Sequence, residues 1–317
     1  MIRGGLVRSG RKALAGLATA FVVLAGVLPA LGQSTTTTLS FQLPGGNRTA
    51  LMVDHAQGRR APVVLVLHDE NGSPEQIRRY FTWDEVGGRE KLILIYPQGV
   101  RGAWNDGRPT DGRRFNPLAR VDDVAFIRTL LSELETRGRL DRRRVYVVGV
   151  GGGGHMVHRL LCEAGDLFAA GAPLLASLSI IWARSCPASA VPVVMVAGTE
   201  DRITPFAGRG SGSDPDSAMV SVPDTLTFYR GRNGCTGTGE RALPDQDGTD
   251  NSRITILEGT GCRHAARLYR VDGGGHHTPT RAERRMRPVV GAMLGQPNHD
   301  METDEEIWAF FADKRRP

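Results

Sequence analysis

The chain has 317 residues, 40% of them hydrophobic, and a formal net charge of +6. That length suits one large α/β domain or two small ones, and the apolar share supports a sizeable core and excludes wholesale disorder. Four of the six net charges sit in Arg3, Arg8, Arg11 and Lys12, so the rest of the chain makes no electrostatic case for a nucleic-acid partner.

The opening reads as an export signal. A basic start is followed by the apolar run Ala13 to Leu31, interrupted by Thr19, and small residues at Ala30 and Gly32 precede Gln33. Residues 1–32 are therefore expected to be a signal peptide cleaved before Gln33, leaving a secreted or periplasmic protein with no membrane span. An uncleaved anchor is the competing reading, since the apolar run is near the lower limit for crossing a bilayer. The polar run Ser34 to Thr38 favours cleavage. Residues 33–60 are expected to hold the N-terminal segment and first strands, and 61–317 a single domain.

Four apolar runs without alternation follow: Ala61–His68, Lys91–Tyr96, Arg144–Gly149 and Val191–Gly198. Such runs fit strands buried on both faces, as in a parallel sheet. Ala266–Val271 is a shorter, more alternating fifth. Helical patterns lie between and after them. Asp122 or Asp123 can cap a helix carrying Val124, Ile127, Leu131 and Leu134 and ending at Gly138. A second helix follows Gly154, and a third spans Asp304 to Asp313. Strands alternating with helices predict an α/β fold with a mostly parallel central sheet and helices on both faces. The stretch 206–260, rich in Gly, Ser, Asp and Pro, is expected to be a loop-rich insertion. The basic stretch Arg281, Arg284, Arg285 and Arg287 is read as a solvated face.

Cys162, Cys186, Cys235 and Cys262 are the four cysteines. An even number in an exported chain points to two disulfides in one of three pairings, and proximity in sequence favours Cys162–Cys186 and Cys235–Cys262. Each would close a loop of about 25 residues, contributing about 3 kcal/mol in the chain-entropy model. His155, His158 and Cys162 share a helix face, but a cysteine held in a disulfide cannot ligate, and no metal is expected.

The strongest local signal is a strand, then Gly149-Val150-Gly151-Gly152-Gly153-Gly154, then a helix. Gly149, Gly151 and Gly154 match a dinucleotide fingerprint. That unit normally opens its domain and needs an acidic residue closing the next strand. Here it comes after earlier strands, with no such residue, and no cofactor is expected. The other device with this shape is the nucleophile elbow of α/β-hydrolases. Asp201 follows the fourth strand and His276 the fifth, in the chain order elbow, acid, histidine that those enzymes use. His277 is the second candidate for the base.

Several local patterns then occur together and in order: Val66-Leu67-His68, Tyr96-Pro97-Gln98-Gly99 with Trp104-Asn105, Val121-Asp122-Asp123-Val124, Gly198-Thr199-Glu200-Asp201, Arg232-Asn233-Gly234-Cys235 and Gly273-Gly274-Gly275-His276. In these the chain resembles secreted polyhydroxybutyrate depolymerases and feruloyl esterases over about residues 60–312. The resemblance agrees with the inferred cysteine pairing. It implies that Asp201 orients a general base, His276, and that Trp104 lies near the cleft. It also puts Gly151 where the family has its serine, and Gly152 where it has a polar residue. Asp69 follows His68 where the family commonly has glycine, which puts the oxyanion hole in doubt. Glycine cannot start acyl-enzyme chemistry. The expectation is a catalytically degenerate esterase that binds an ester or phenolic ligand. The alternative is an active carboxylic-ester hydrolase using a displaced nucleophile, such as Ser177 or Ser179, or water activated by His276.

Overall fold

The computed structural model describes residues 1, 34–109, 118, 120–187, 190–210, 215–281 and 293–317. Apart from Met1, the proposed leader lies outside these, as do Arg284, Arg285 and Arg287 of the basic stretch, while Arg281 is exposed. The chain divides at Leu31, and everything below belongs to the unit Gly32–Pro317.

The strands are β1 (Thr35–Leu43), β2 (Gly46–Asp54), β3 (Ala61–Leu67), β4 (Ile93–Pro97), β5 (Leu140–Val150), β6 (Ala170–Leu174), β7 (Val193–Gly198), β8 (Gly237–Ala242), β9 (Arg253–Thr260) and β10 (Ala266–Asp272). They form one sheet in the order β1-β2-β4-β3-β5-β6-β7-β10-β9-β8. The six central strands, β4 to β10 in that order, run parallel. Antiparallel pairs close both ends.

The helices are α1 (Pro74–Tyr80), α2 (Trp83–Glu90), α3 (Asp123–Thr136), α4 (Gly152–Glu163), α5 (Ile180–Ser185), α6 (Val222–Arg232) and α7 (Thr303–Phe311). Val63, Leu65 and Leu67 of β3 pack in one core with Ile127 and Leu131 of α3 and Met156 and Leu160 of α4. Val64 and Val66 face the other way, into a second core with Trp83 of α2 and Ile307 and Phe311 of α7. Alternate residues of one strand thus feed two cores, which is why the run carries no polar position. The expected α/β-hydrolase architecture, a mostly parallel sheet covered on both faces, is the architecture found.

The strand β6, Ala170-Gly171-Ala172-Pro173-Leu174, has no β-branched residue and gives no sequence signal. Its small side chains are a packing requirement. A Cβ on Gly171 would lie 2.8 Å from a methyl of Leu161 on α4. The stretch expected to be loop-rich, 206–260, instead carries α6 and the strands β8 and β9. β8 is largely exposed at the sheet edge, and of β9 Ile254 and Ile256 are buried in one core while Leu257 packs partly buried against the other, so the stretch is polar despite its regular structure. The α4 helix begins at Gly152, two residues before the glycine run ends. The disulfides are Cys162–Cys186 and Cys235–Cys262, as expected.

The two aspartates before α3 divide their tasks. Asp122 is the N-cap, its side chain accepting from the Ala125 N–H at 2.8 Å. Asp123 is fully buried, accepting from the Arg48 guanidinium at 2.6 Å and from the Asn105 N–H at 2.7 Å. It thereby ties β2 and the Trp104–Asn105 loop to α3. Removing one partner of a buried pair strands the other charge in a dry site. Asp123→Ala is expected to cost about 3–5 kcal/mol in chemical denaturation. The paired change Arg48→Met with Asp123→Leu should cost much less.

Candidate active site

Four loops meet at the carboxyl ends of the parallel strands, where open α/β sheets carry their sites. Asp69 follows β3, Gly151 follows β5, Asp201 follows β7 and His276 follows β10. Asp201 and His276, 75 residues apart, are joined by a 2.7 Å hydrogen bond from Nδ1 to Oδ2, and both are buried. The other Asp201 oxygen accepts from the N–H groups of Ile203 and Thr204, each at 2.8 Å, so the carboxylate is fixed by its own turn before it meets the ring. His277 points elsewhere, its Nε2 donating to the Gly295 carbonyl at 3.1 Å.

The turn after β5 has the elbow form. Gly151 sits at φ 52° and ψ −114°, and its N–H donates to the Leu174 carbonyl of β6 at 3.0 Å. The glycines beyond it allow helix and sheet to approach closely. A Cβ on Gly153 would stand 2.5 Å from the Leu67 carbonyl oxygen at the end of β3. Steric access for α4 therefore accounts for the glycine run without a nucleotide.

Asp69 occupies the centre of the site. Its Oδ1 accepts from the N–H of Gly152 at 2.7 Å and from the N–H of Glu70 at 2.7 Å. Gly151, the N-cap of α4, has no side chain, and Asp69 from another loop does the capping, where the helix dipole favours an anion. Its Oδ2 lies 4.0 Å from Nε2 of His276. In a serine hydrolase of this fold, the N–H after the nucleophile and one from the loop after this strand hold the oxyanion. Here the corresponding donors hold a side chain of the same chain. A Cβ built on Gly151 would also collide with that carboxylate, at 2.5 Å from Cγ and 2.8 Å from Oδ2.

His68 and Trp104, expected at the cleft, are buried beneath this loop and do not line the cavity. The His68 ring accepts from the Gly99 N–H at 2.9 Å through Nε2 and donates through Nδ1 to the Asp69 carbonyl at 2.7 Å. Burial pushes its pKa down, in keeping with a neutral ring. Trp104 donates to the His68 carbonyl at 2.8 Å, and the two rings pack 4.9 Å apart. Together they brace the loop that carries Asp69.

A cavity of about 410 Å³ opens over Asp69, Gly151, Gly152 and His276. Arg108, Ile203, Arg209, Met219 and Leu294 also line it, and none of these belongs to a pattern that stood out in the sequence. Ser177 and His155 lie against it too. The Ser177 hydroxyl is buried without a hydrogen-bond partner, and His155 bonds to the Ser177 carbonyl at 3.1 Å through Nδ1. Burial, then the nearby Arg108, hold the His155 pKa well below the usual histidine value. Ser179 caps α5. Neither serine hydrogen-bonds to an imidazole nitrogen. Among the described residues no cluster of His, Cys, Asp and Glu could hold a metal. His158 contacts Tyr229 through Nδ1 at 2.8 Å, and Cys162 is in its disulfide.

The Asp201–His276 bond fixes the ring's proton on Nδ1 in the neutral form. In Asp201→Asn the Oδ1 position can still accept from Ile203 and Thr204, while the ring loses its carboxylate. The proton is then expected to move to Nε2, which ¹⁵N imidazole shifts would register; an unchanged tautomer would refute this role for Asp201.

No protein-family model matches the chain. It is 32% identical over 244 residues to the putative esterase NocK of Nocardia uniformis subsp. tsuyamanensis, covering 73% of this chain and 69% of that protein. It is 26% identical over 230 residues to feruloyl esterase B of Piromyces equi, covering 69% of this chain but 40% of that longer protein. Among solved structures, the acetyl xylan esterase of Aspergillus awamori matches at a TM-score of 0.55 and 11% identity, over 87% of this chain and 99% of that one, which supports the fold alone. With the sheet, the disposition of its loops and the shared sequence in agreement, the chain belongs to the esterase-like family of α/β-hydrolases.

Proposed function

We propose that this chain uses the esterase scaffold as a secreted or periplasmic binding protein for a small ester or phenolic ligand and lacks serine-dependent ester hydrolysis. The observation that carries the reading is the Asp69 carboxylate held by the Gly152 and Glu70 N–H groups. Two requirements of acyl transfer fail together. Gly151 supplies no nucleophile, so no acyl-enzyme forms there. A substrate carbonyl oxygen would find both donors occupied and a negative charge beside it, the reverse of what a developing oxyanion needs.

Water activated by His276 is a weaker alternative. General-base help is worth about 10²–10⁴-fold, and it would act here without oxyanion stabilisation. The displaced-nucleophile route lacks a base on either serine. Support for an ester or phenolic ligand comes from the relatives and from the size of the cavity, and the two disulfides are in keeping with an oxidising compartment.

The expected result with a short-chain aryl ester is no turnover above that of His276→Ala. Gly151→Ser alone is expected to stay inactive, because the new side chain and Asp69 claim the same space. The double variant Gly151→Ser with Asp69→Gly frees both the space and the N–H pair. It should exceed either single variant by at least about 100-fold, the worth of an oxyanion donor. Turnover by the unmodified protein that depends on His276, or full rescue by Gly151→Ser alone, would sink the reading.

A further inference from the structure

At the elbow, the cavity has the opposite hydrogen-bonding polarity from an ester hydrolase. In such an enzyme the reacting carbonyl oxygen meets two N–H donors. Here both N–H groups donate to Asp69 Oδ1, and His276 Nδ1 is committed to Asp201. Beside the elbow, what remains is Asp69 Oδ2 and, in the neutral ring, His276 Nε2, 4.0 Å apart, while Ser177, Arg108 and Arg209 also line the cavity. The Asp69 and His276 atoms are both acceptors. A carbonyl or carboxylate oxygen placed between them would gain no hydrogen bond from either and would face a negative charge.

The geometry points to a ligand that enters hydroxyl first, an alcohol or phenol on an apolar body, donating its single O–H to Asp69 Oδ2 with His276 Nε2 within reach of the same hydrogen. This rests on the reading of the cavity as a binding site and names the group recognised there. A hydroxyl donating to a carboxylate makes a charge-assisted bond, about twice as strong as a neutral one. One oxygen can lie within hydrogen-bonding reach of two atoms 4.0 Å apart. The body of the ligand would lie against Ile203, Pro205, Met219 and Leu294. An ammonium group also donates, and Asp69 and Glu70 line the same cavity, so benzylamine is the competing donor in the test. Arg108 is engaged by Asp106 at 2.7 Å and lies 3.6 Å from Glu70, whereas Arg209, whose guanidinium donates to the Ile203 carbonyl at 2.9 Å, is the cation on the lining that opposes an amine.

The test is calorimetric or ligand-observed NMR titration. The ligands are benzyl alcohol, benzyl methyl ether, benzoate and benzylamine. None can be hydrolysed as an ester, so any residual turnover does not affect the result, and failure here is separable from failure of the previous reading. Benzyl alcohol is expected to bind at least about tenfold more tightly than the ether and benzoate, the loss that accompanies an unmade hydrogen bond to a charged group, and more tightly than benzylamine. Asp69→Asn is isosteric. It can leave an oxygen on the two N–H groups and put an N–H₂ where Oδ2 stood, so the alcohol's advantage over the ether should vanish. Equal or tighter binding of the ether or benzoate overturns the proposal, as does an undiminished preference in Asp69→Asn. Tighter binding of benzylamine overturns the hydroxyl assignment, and no binding of benzyl alcohol at millimolar concentration overturns the whole.

Discussion

The close approach of the α4 N-terminus to the ends of β3 and β6 is the constraint from which the site follows. Backbone meets backbone there, at Gly153 against the Leu67 carbonyl and at Gly151 against the Leu174 carbonyl. That approach leaves no room for side chains along the turn and aims the first N–H of α4 at the loop after β3. A helix N-terminus presents unpaired donors and a positive dipole end. Some acceptor must fill it, and with glycine at the cap position the chain supplies Asp69 from a distant loop. The carboxylate is held there by the same physics that holds an oxyanion in a serine hydrolase.

Gly151 and Asp69 are therefore a matched pair. The carboxylate can sit where it does because the elbow carries no Cβ, and the elbow's left-handed conformation is unstrained because the residue is glycine. Each makes the other acceptable, and together they put a carboxylate where an esterase of this fold presents two N–H donors, with the elbow and the Asp201–His276 bond in place. The fold shared with esterases thus sets where a ligand would be held, while two side-chain choices set what chemistry meets it.

Much of this architecture is legible in the chain itself. Runs such as Ala61–Leu67 and Val193–Gly198 fit strands buried on both faces, and the alternation of such runs with amphipathic helices implies parallel order. The parts that escaped are those whose signal is not hydrophobic. β6 is built of small residues because Leu161 packs on it, β8 lies exposed at the edge, and α5 is a short helix capped by Ser179. None has a period long enough to read. Asp122 and Asp123 look alike in sequence, yet one caps α3 in solvent and the other is buried on Arg48, a difference created by a residue 75 positions away.

By itself the sequence determined the parallel α/β core, the two disulfide pairs, the order elbow, acid, histidine, and the absence of a side chain at Gly151. These depend on residue type and on order along the chain, which sequence records directly. The tertiary structure decided that His276 and not His277 meets Asp201, that His68 and Trp104 brace a loop instead of lining the cavity, and that Asp69 turns inward onto two N–H groups. Those outcomes depend on which backbone donors converge in space, and no local pattern encodes that convergence. A carboxylate after a strand reads the same whether it points to water or caps the helix across the sheet, and only the position of α4 distinguishes the two.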